Sequence, residues 1–371
     1  MIRCLVADDS RAFRAILRTI LARAPEVEVV GEAADGSEAV AQVLALRPDV
    51  VTMDVRMPGK DGLVAIDEIM RIAPTPIVVV SAEAGPERQE IAFRALDLGA
   101  IEVLAKPRSD GHGRFEREAD AIRLAVRSVA GLKLVTRHRR PFRTAATPAT
   151  AAPHPSAPQA LRSAPAAPPR IAPAPGALQA ARVVGIAAST GGPAGLARIL
   201  KALPRDYPLP VLVVQHIAQG FEAGLVHWLG GESALPVKLA DDGDPIRPGV
   251  VLFAPEGRHL VAAGGVVRFS SVPPVGGFRP SGTVLLSSLA RELGGSAAGL
   301  VLSGMGEDGA AGLGEIRSRG GWTAAQGPQT SVVFGMPRVA LERGAAEHTL
   351  ELDDIAPALV RLARGRGPEA A

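Results

Sequence analysis

The 371-residue chain is expected to fold as two α/β domains, each a doubly wound parallel sheet, joined by an Ala/Pro-rich linker. Three observations predict this. Short β-rich runs alternate with amphipathic stretches up to about residue 128. The rhythm stops across a segment dominated by Ala and Pro, and it resumes from Val183. Such alternation marks strands connected by crossover helices, and the length accommodates two ordinary domains. The expected boundaries are 1–128, a basic linker over 129–180, and 181–365.

In the first domain the strand-like runs are Ile2–Ala7, Val27–Gly31, Val50–Met53, Ile77–Ser81 and Ile101–Ala105, with Arg11–Arg23 and Glu87–Leu98 among the helical stretches between them. The linker, exemplified by Ala164–Pro175, has no hydrophobic periodicity and reads as a semi-extended tether. Beyond it, Val183–Ala188, Val211–Gln215, Val250–Phe253 and Leu300–Ser303 read as strands. Gly192–Leu203, Thr283–Leu293 and Asp308–Arg319 read as helices, the last stopped by Gly320-Gly321.

Composition excludes several functions. The single cysteine, Cys4, cannot build a disulfide framework, which fits a reducing interior. The apolar start runs at once into Asp8 and Asp9, unlike a secretory signal, and no apolar run reaches the ~20 residues of a membrane span. A cytoplasmic protein without membrane insertion is expected. The formal charge is +3, yet Lys133, Arg137, Arg139, Arg140, Arg143, Arg162, Arg170 and Arg182 lie together with no acidic residue among them. Set aside, they leave the domains net acidic, so no nucleic-acid partner is expected.

Ligands of open parallel sheets bind at the carboxyl ends of the strands. In the first domain those ends carry Asp8 and Asp9, Asp54, Ser81, and Lys106 followed by Pro107. Three carboxylates at one edge call for a cation, and Mg²⁺, an oxygen-seeking ion, meets that need. The same ion can neutralise a phosphoryl group arriving at Asp54, with Lys106 holding one of its oxygens and Ser81 donating to another. Each residue alone reads as a helix cap or a solvated terminus; together they read as a phosphoryl site. They resemble the response-regulator receiver family, through the acidic pair, Asp54 before Met57-Pro58, Asp61-Gly62, Ser81 and Lys106-Pro107. The resemblance covers residues 1 to about 125. It implies a flavodoxin-like fold and phosphorylation of Asp54 by a histidine kinase, with Ser81 as the switch hydroxyl. Val103 stands where many receivers carry an aromatic switch.

The second domain offers a different chemistry. A serine nucleophile needs a base, a group orienting that base, and donors for the oxyanion. Ser189 follows one strand and precedes a helix, His216 follows another strand, and Asp308 lies in the Gly304–Gly309 loop after a third. Three strand ends thus present the parts of an acyl-transfer site at one rim. Alternatives remain at this level: a phosphate-binding turn at Ser189, a loop histidine, and an Asp308 that caps the helix after it. His227 and His259 read as structural or peripheral.

These stretches, GIAASTGGP at 185–193, VVQHIAQGF at 213–221, FAPEGRHL at 253–260, LSGMGEDGA at 302–310 and TSVVFGMP at 330–337, resemble the catalytic domain of the chemotaxis protein-glutamate methylesterases, the CheB family. The resemblance covers residues 182 to 350 and implies a Rossmann-like hydrolase domain. On it, Ser189 is the nucleophile, His216 the general base and acid, Asp308 the residue orienting the imidazole, and the Met305 N–H an oxyanion donor. No cofactor is expected in this site. The implied reaction is hydrolysis of glutamate γ-methyl esters, with glutamine deamidation beside it. The implied partners are methyl-accepting chemoreceptors as substrate and a histidine kinase as phosphodonor. Two departures stand out: Phe278 occupies a position where many relatives have histidine, and Gly327 one where aspartate is common. A receiver with a non-catalytic, partner-binding output domain is the competing reading, and the residues do not choose between a motility array and another receptor pathway.

Overall fold

The computed structural model describes residues 1–82, 86–108, 113–132 and 182–365; the expected linker lies outside them from residue 133 onward. Strands β1 (Ile2–Ala7), β2 (Val27–Ala33), β3 (Val50–Met53), β4 (Ile77–Ser81) and β5 (Glu102–Ala105) form one parallel sheet in the order β2-β1-β3-β4-β5. The order reverses between β1 and β3, and the crevice there receives the ends of both strands. Helices α1 (Arg11–Ala22), α2 (Gly36–Leu46), α3 (Gly62–Ile72), α4 (Pro86–Asp97) and α5 (Arg114–Val129) cover the two faces. The Ser10 hydroxyl caps α1 by accepting from Phe13 N–H, which releases Asp8 and Asp9 from the capping role.

The second sheet has seven parallel strands in the order β14-β13-β12-β6-β7-β9-β8. Its members are β6 (Val183–Ala188), β7 (Val211–Gln215), β8 (Val237–Leu239), β9 (Val251–Phe253), β12 (Ala297–Val301), β13 (Trp322–Gln326) and β14 (His348–Leu350). An antiparallel hairpin, β10 (His259–Ala263) with β11 (Val266–Ser270), stands apart. The helices are α6 (Gly192–Ala202), α7 (Glu222–Glu232), α8 (Gly282–Leu293), α9 (Ala310–Ser318), α10 (Met336–Glu342) and α11 (Leu352–Ala363). Compared with the sequence reading, β12 begins earlier and ends two residues sooner. Its Ala-Ala-Gly start carries little strand propensity and becomes a strand by pairing with β6 and β13.

The two domains meet through α4 and α7. The Phe93 ring stacks on Trp228, with centroids 5.7 Å apart and 15° between planes, and meets Phe221 edge-on at 6.3 Å and 76°. Trp228 Nε1 donates to Asp97 Oδ2 at 3.3 Å, giving the buried indole its polar partner. Further along, Arg114 donates to the Gln219 carbonyl at 3.4 Å, and the Ser128 hydroxyl lies 3.9 Å from Met305 Sδ. The contact is aromatic at its centre and polar at its rim.

Candidate active site

Strand register brings the three candidate residues of the second domain to one rim. Ala188 on β6 pairs with Gln215 on β7, so Ser189 and His216 emerge side by side, and His216 N–H donates to Ala188 O at 2.9 Å. On the other flank Ser189 N–H donates to Ser303 O at 3.0 Å, beyond the end of β12. Gln215 Nε2 donates to both the Ser189 and the His216 carbonyls, at 2.9 and 2.7 Å, locking the two turns together. Close packing requires glycine beside the serine: a Cβ on Gly304 would stand 2.6 Å from Ser189 Cβ. Gly191, at φ +76°, lets the chain turn from the serine into α6.

His216 Nε2 lies 2.9 Å from Asp308 Oδ2. The carboxylate is held from the far side by α8: the Ser281 hydroxyl donates to Oδ1 at 2.7 Å, Gly282 N–H to Oδ2 at 2.6 Å, and Thr283 N–H to Oδ1 at 2.9 Å. Asp308 therefore does not cap the helix after it. Gly309 occupies that N-cap, and Asp308 caps α8 instead, where free N–H groups favour an anion. Burial works to raise Asp308, but the hydrogen bond and charge of His216, with those from Ser281 and Thr283, override it and hold the carboxyl well below the usual carboxylate range.

The other imidazole nitrogen, Nδ1, is buried and has no hydrogen-bond partner among the described residues. His216 and Ser189 both line one cavity of about 730 Å³. The Met305 N–H, in the adjoining loop, has no acceptor among the described residues either. Met305 itself does not line that cavity, so the groups the structure brings together are a hydroxyl, a free basic nitrogen and an anion behind it, which can support acyl transfer.

The first domain contributes the opposite wall of this cavity, including Glu102, Leu104 and Arg114. Burial pushes the Glu102 carboxyl up to about 7, against hydrogen bonds from the Thr190 hydroxyl and from the Val103 and Gly191 N–H groups. A glutamate of one domain thus sits on the residues that follow Ser189 in the other. Sequence reasoning passed over Glu102, although a lone acid in an apolar run beside Lys106-Pro107 was a signal. It also passed over Ser281, whose place before a helix foretold a cap but not the long-range bond to Asp308.

Asp8, Asp9 and Asp54 converge as expected, each offering an oxygen within 4.8 Å of the others. Lys106 Nζ reaches Asp54 Oδ2 at 2.6 Å and Asp8 Oδ2 at 2.7 Å, the second as an ion pair without hydrogen-bond directionality. Burial pushes Asp8 up despite Lys106. A buried carboxylate oxygen left without a directed donor is what a hard cation satisfies, so the cluster fits Mg²⁺. Ser81 is buried at the neighbouring strand end, its carbonyl accepting from Lys106 N–H at 2.8 Å.

Comparison with known proteins agrees with both halves. A family model described as CheB methylesterase matches residues 184–359, and one for the response regulator receiver domain matches residues 4–113. A protein-glutamate methylesterase/protein-glutamine glutaminase of Anaeromyxobacter dehalogenans is 46% identical over 98% of this chain and 97% of its own. The chain belongs to this methylesterase family. A second relative of the same description, from Geobacter metallireducens, is 42% identical over 98% of this chain and 99% of its own. The crystal structure of the Thermotoga maritima CheB methylesterase catalytic domain is 36% identical, covering 49% of this chain and 98% of that one, with a TM-score of 0.48. Family membership decides against a non-catalytic output domain. No helix among the described residues is long and apolar enough to cross a membrane.

Proposed function

We infer that this chain hydrolyses γ-methyl esters of glutamate side chains on chemoreceptors, and deamidates glutamines at the same site, under control of Asp54 phosphorylation. One observation carries the hydrolytic reading: His216 is bound to Asp308 through Nε2, its Nδ1 has no partner among the described residues, and His216 and Ser189 line the same cavity. His216 Nδ1 accepts the Ser189 proton as Oγ attacks the γ-carbonyl, and Asp308 stabilises the imidazolium that forms. The tetrahedral oxyanion is received by the Met305 N–H. The imidazolium returns the proton to the departing methoxide, or to the amine of a glutamine, leaving a glutamyl ester on Ser189. Water, deprotonated by the same nitrogen, releases glutamate and restores the serine.

Regulation follows from the docked receiver. With Glu102 against Thr190 and Gly191 and with Phe93 stacked on Trp228 of α7, the receiver lies over the side of the cavity from which a receptor helix would approach Ser189. Asp8, Asp9 and Asp54 would hold Mg²⁺, which when bound offsets the charge of the incoming phosphoryl group. Asp54 accepts that group from a histidine kinase, Lys106 exchanges its carboxylate partner for a phosphoryl oxygen, and Ser81 donates to another. Because Lys106 directly follows β5, its movement is passed to Glu102 without the aromatic switch that Val103 replaces. Methanol release from a methylated receptor fragment, measured with and without a phosphodonor, tests both parts. No methanol in either condition sinks the esterase reading, and equal rates in both sink the regulation.

A further inference from the structure

We propose that Phe278 is a positioning residue for catalysis: its ring holds the imidazole plane of His216 so that Nδ1 is presented to Ser189. The rings are stacked face to face, with centroids 3.9 Å apart and only 4° between planes. The bond from Nε2 to Asp308 fixes one atom of the imidazole and leaves the ring free to swing about it. A flat surface packed at 3.9 Å against one face removes that freedom, because tilting the imidazole would drive it into the phenyl ring. The in-plane bond and the out-of-plane stack together define where Nδ1 points.

The segment carrying Phe278 is itself braced. Val275 and Phe278 exchange backbone hydrogen bonds, each 3.1 Å, across Gly276 and Gly277, whose φ values of 62° and 86° suit a tight two-residue turn. Three residues later Ser281 anchors the strap to Asp308. The fully buried His259 bridges its two ends: Nδ1 accepts from Ser281 N–H at 3.2 Å, and Nε2 lies 3.3 Å from Pro273 O. His259, read from sequence as structural or peripheral, thus has a structural role, closing a loop that touches both His216 and Asp308. The strap reaches His216 from one side and its carboxylate from the other, which packing alone does not require of a half-exposed phenylalanine.

This inference rests on the esterase reading, and the test separates the two. Full-length Phe278→Leu, Phe278→Tyr and Phe278→His are compared with wild type in the presence of Mg²⁺ and a phosphodonor. Methanol release gives kcat and KM, and the rate of Ser189 labelling by a fluorophosphonate reports the serine–imidazole couple without any receptor substrate. Leucine keeps the apolar bulk and loses the flat face, so kcat and the labelling rate should fall about three- to tenfold with KM and Tm unchanged. Tyrosine and histidine, both planar, should restore each to within about twofold of wild type. Unchanged labelling in the leucine variant, or a loss equally large in the tyrosine variant, overturns the positioning role. A wild type that labels but releases no methanol refutes the proposed substrate, while the labelling series still decides the role of Phe278.

Discussion

On the proposed regulation, Glu102 should make inhibition by the receiver depend on pH. In the docked state burial raises its carboxyl from the ordinary 4.5 to about 7, against the hydrogen bonds from Thr190, Val103 and Gly191. Docking therefore receives its full support from this residue below pH 4.5 and loses it progressively as pH rises through about 7, because the uncovered glutamate ionises freely and the covered one does not. At 1.36 kcal/mol per pH unit of separation, the complete loss is about 3 kcal/mol. Between pH 6 and pH 8, which straddle the docked value, the docking equilibrium should weaken about tenfold. The quantity to measure is the ratio of unphosphorylated to phosphodonor-saturated turnover at each pH, since division cancels the titration of the catalytic groups themselves. It should rise about tenfold from pH 6 to 8 in wild type. Glu102→Gln, which imitates the protonated acid at every pH, should flatten the profile and be more strongly inhibited than wild type at pH 8. A flat wild-type ratio, or a Gln variant with the wild-type slope, refutes the reasoning.

Ser189→Ala should abolish methanol release while phosphate incorporation at Asp54 continues; persistent turnover removes the serine from the mechanism. Asp308→Asn should lower kcat on the order of 10³- to 10⁴-fold, because the imidazole loses the anion that fixes its tautomer and stabilises its charge; steady-state kinetics with a receptor fragment decides. Phe93→Ala deletes an aromatic anchor clamped between Trp228 and Phe221 and should raise unphosphorylated turnover about tenfold or more, up to the stimulated rate. Chelation of Mg²⁺ should stop labelling of Asp54 by a small phosphodonor and leave unstimulated ester hydrolysis in place, a contrast visible by running both assays on one sample.

Much of the architecture was legible because the signals are local. Periodicity separated strands from helices, and the strand-end rule gathered Asp8, Asp54, Ser81 and Lys106 at one edge and Ser189, His216 and Asp308 at another. The relations that cross the molecule were not legible. Nothing in the Arg-Pro-Ser-Gly stretch says that the Ser281 hydroxyl reaches Asp308, because pairing at that distance is set by how α8 meets β12 and not by sequence spacing. Phe278 looked like a departure from the family pattern, whereas its surroundings give it a partner in His216. Nor was the docking of the domains legible: the contact among the described residues centres on Phe93, Phe221 and Trp228, three aromatics scattered through two helical segments and a loop. β8 and β14, three residues each, are too short to identify from pattern, whereas the hairpin β10–β11 carried a signal that went unread in the Gly264-Gly265 turn between its strands.

The sheet order leaves β5 at the border of the receiver, with the esterase lying across it. A border strand keeps one row of amide and carbonyl groups unpaired and is a template for association once bare. Release of the receiver, as proposed, would expose that row together with the Phe93 ring. On the proposed regulation the released form is then expected to be the more adhesive one.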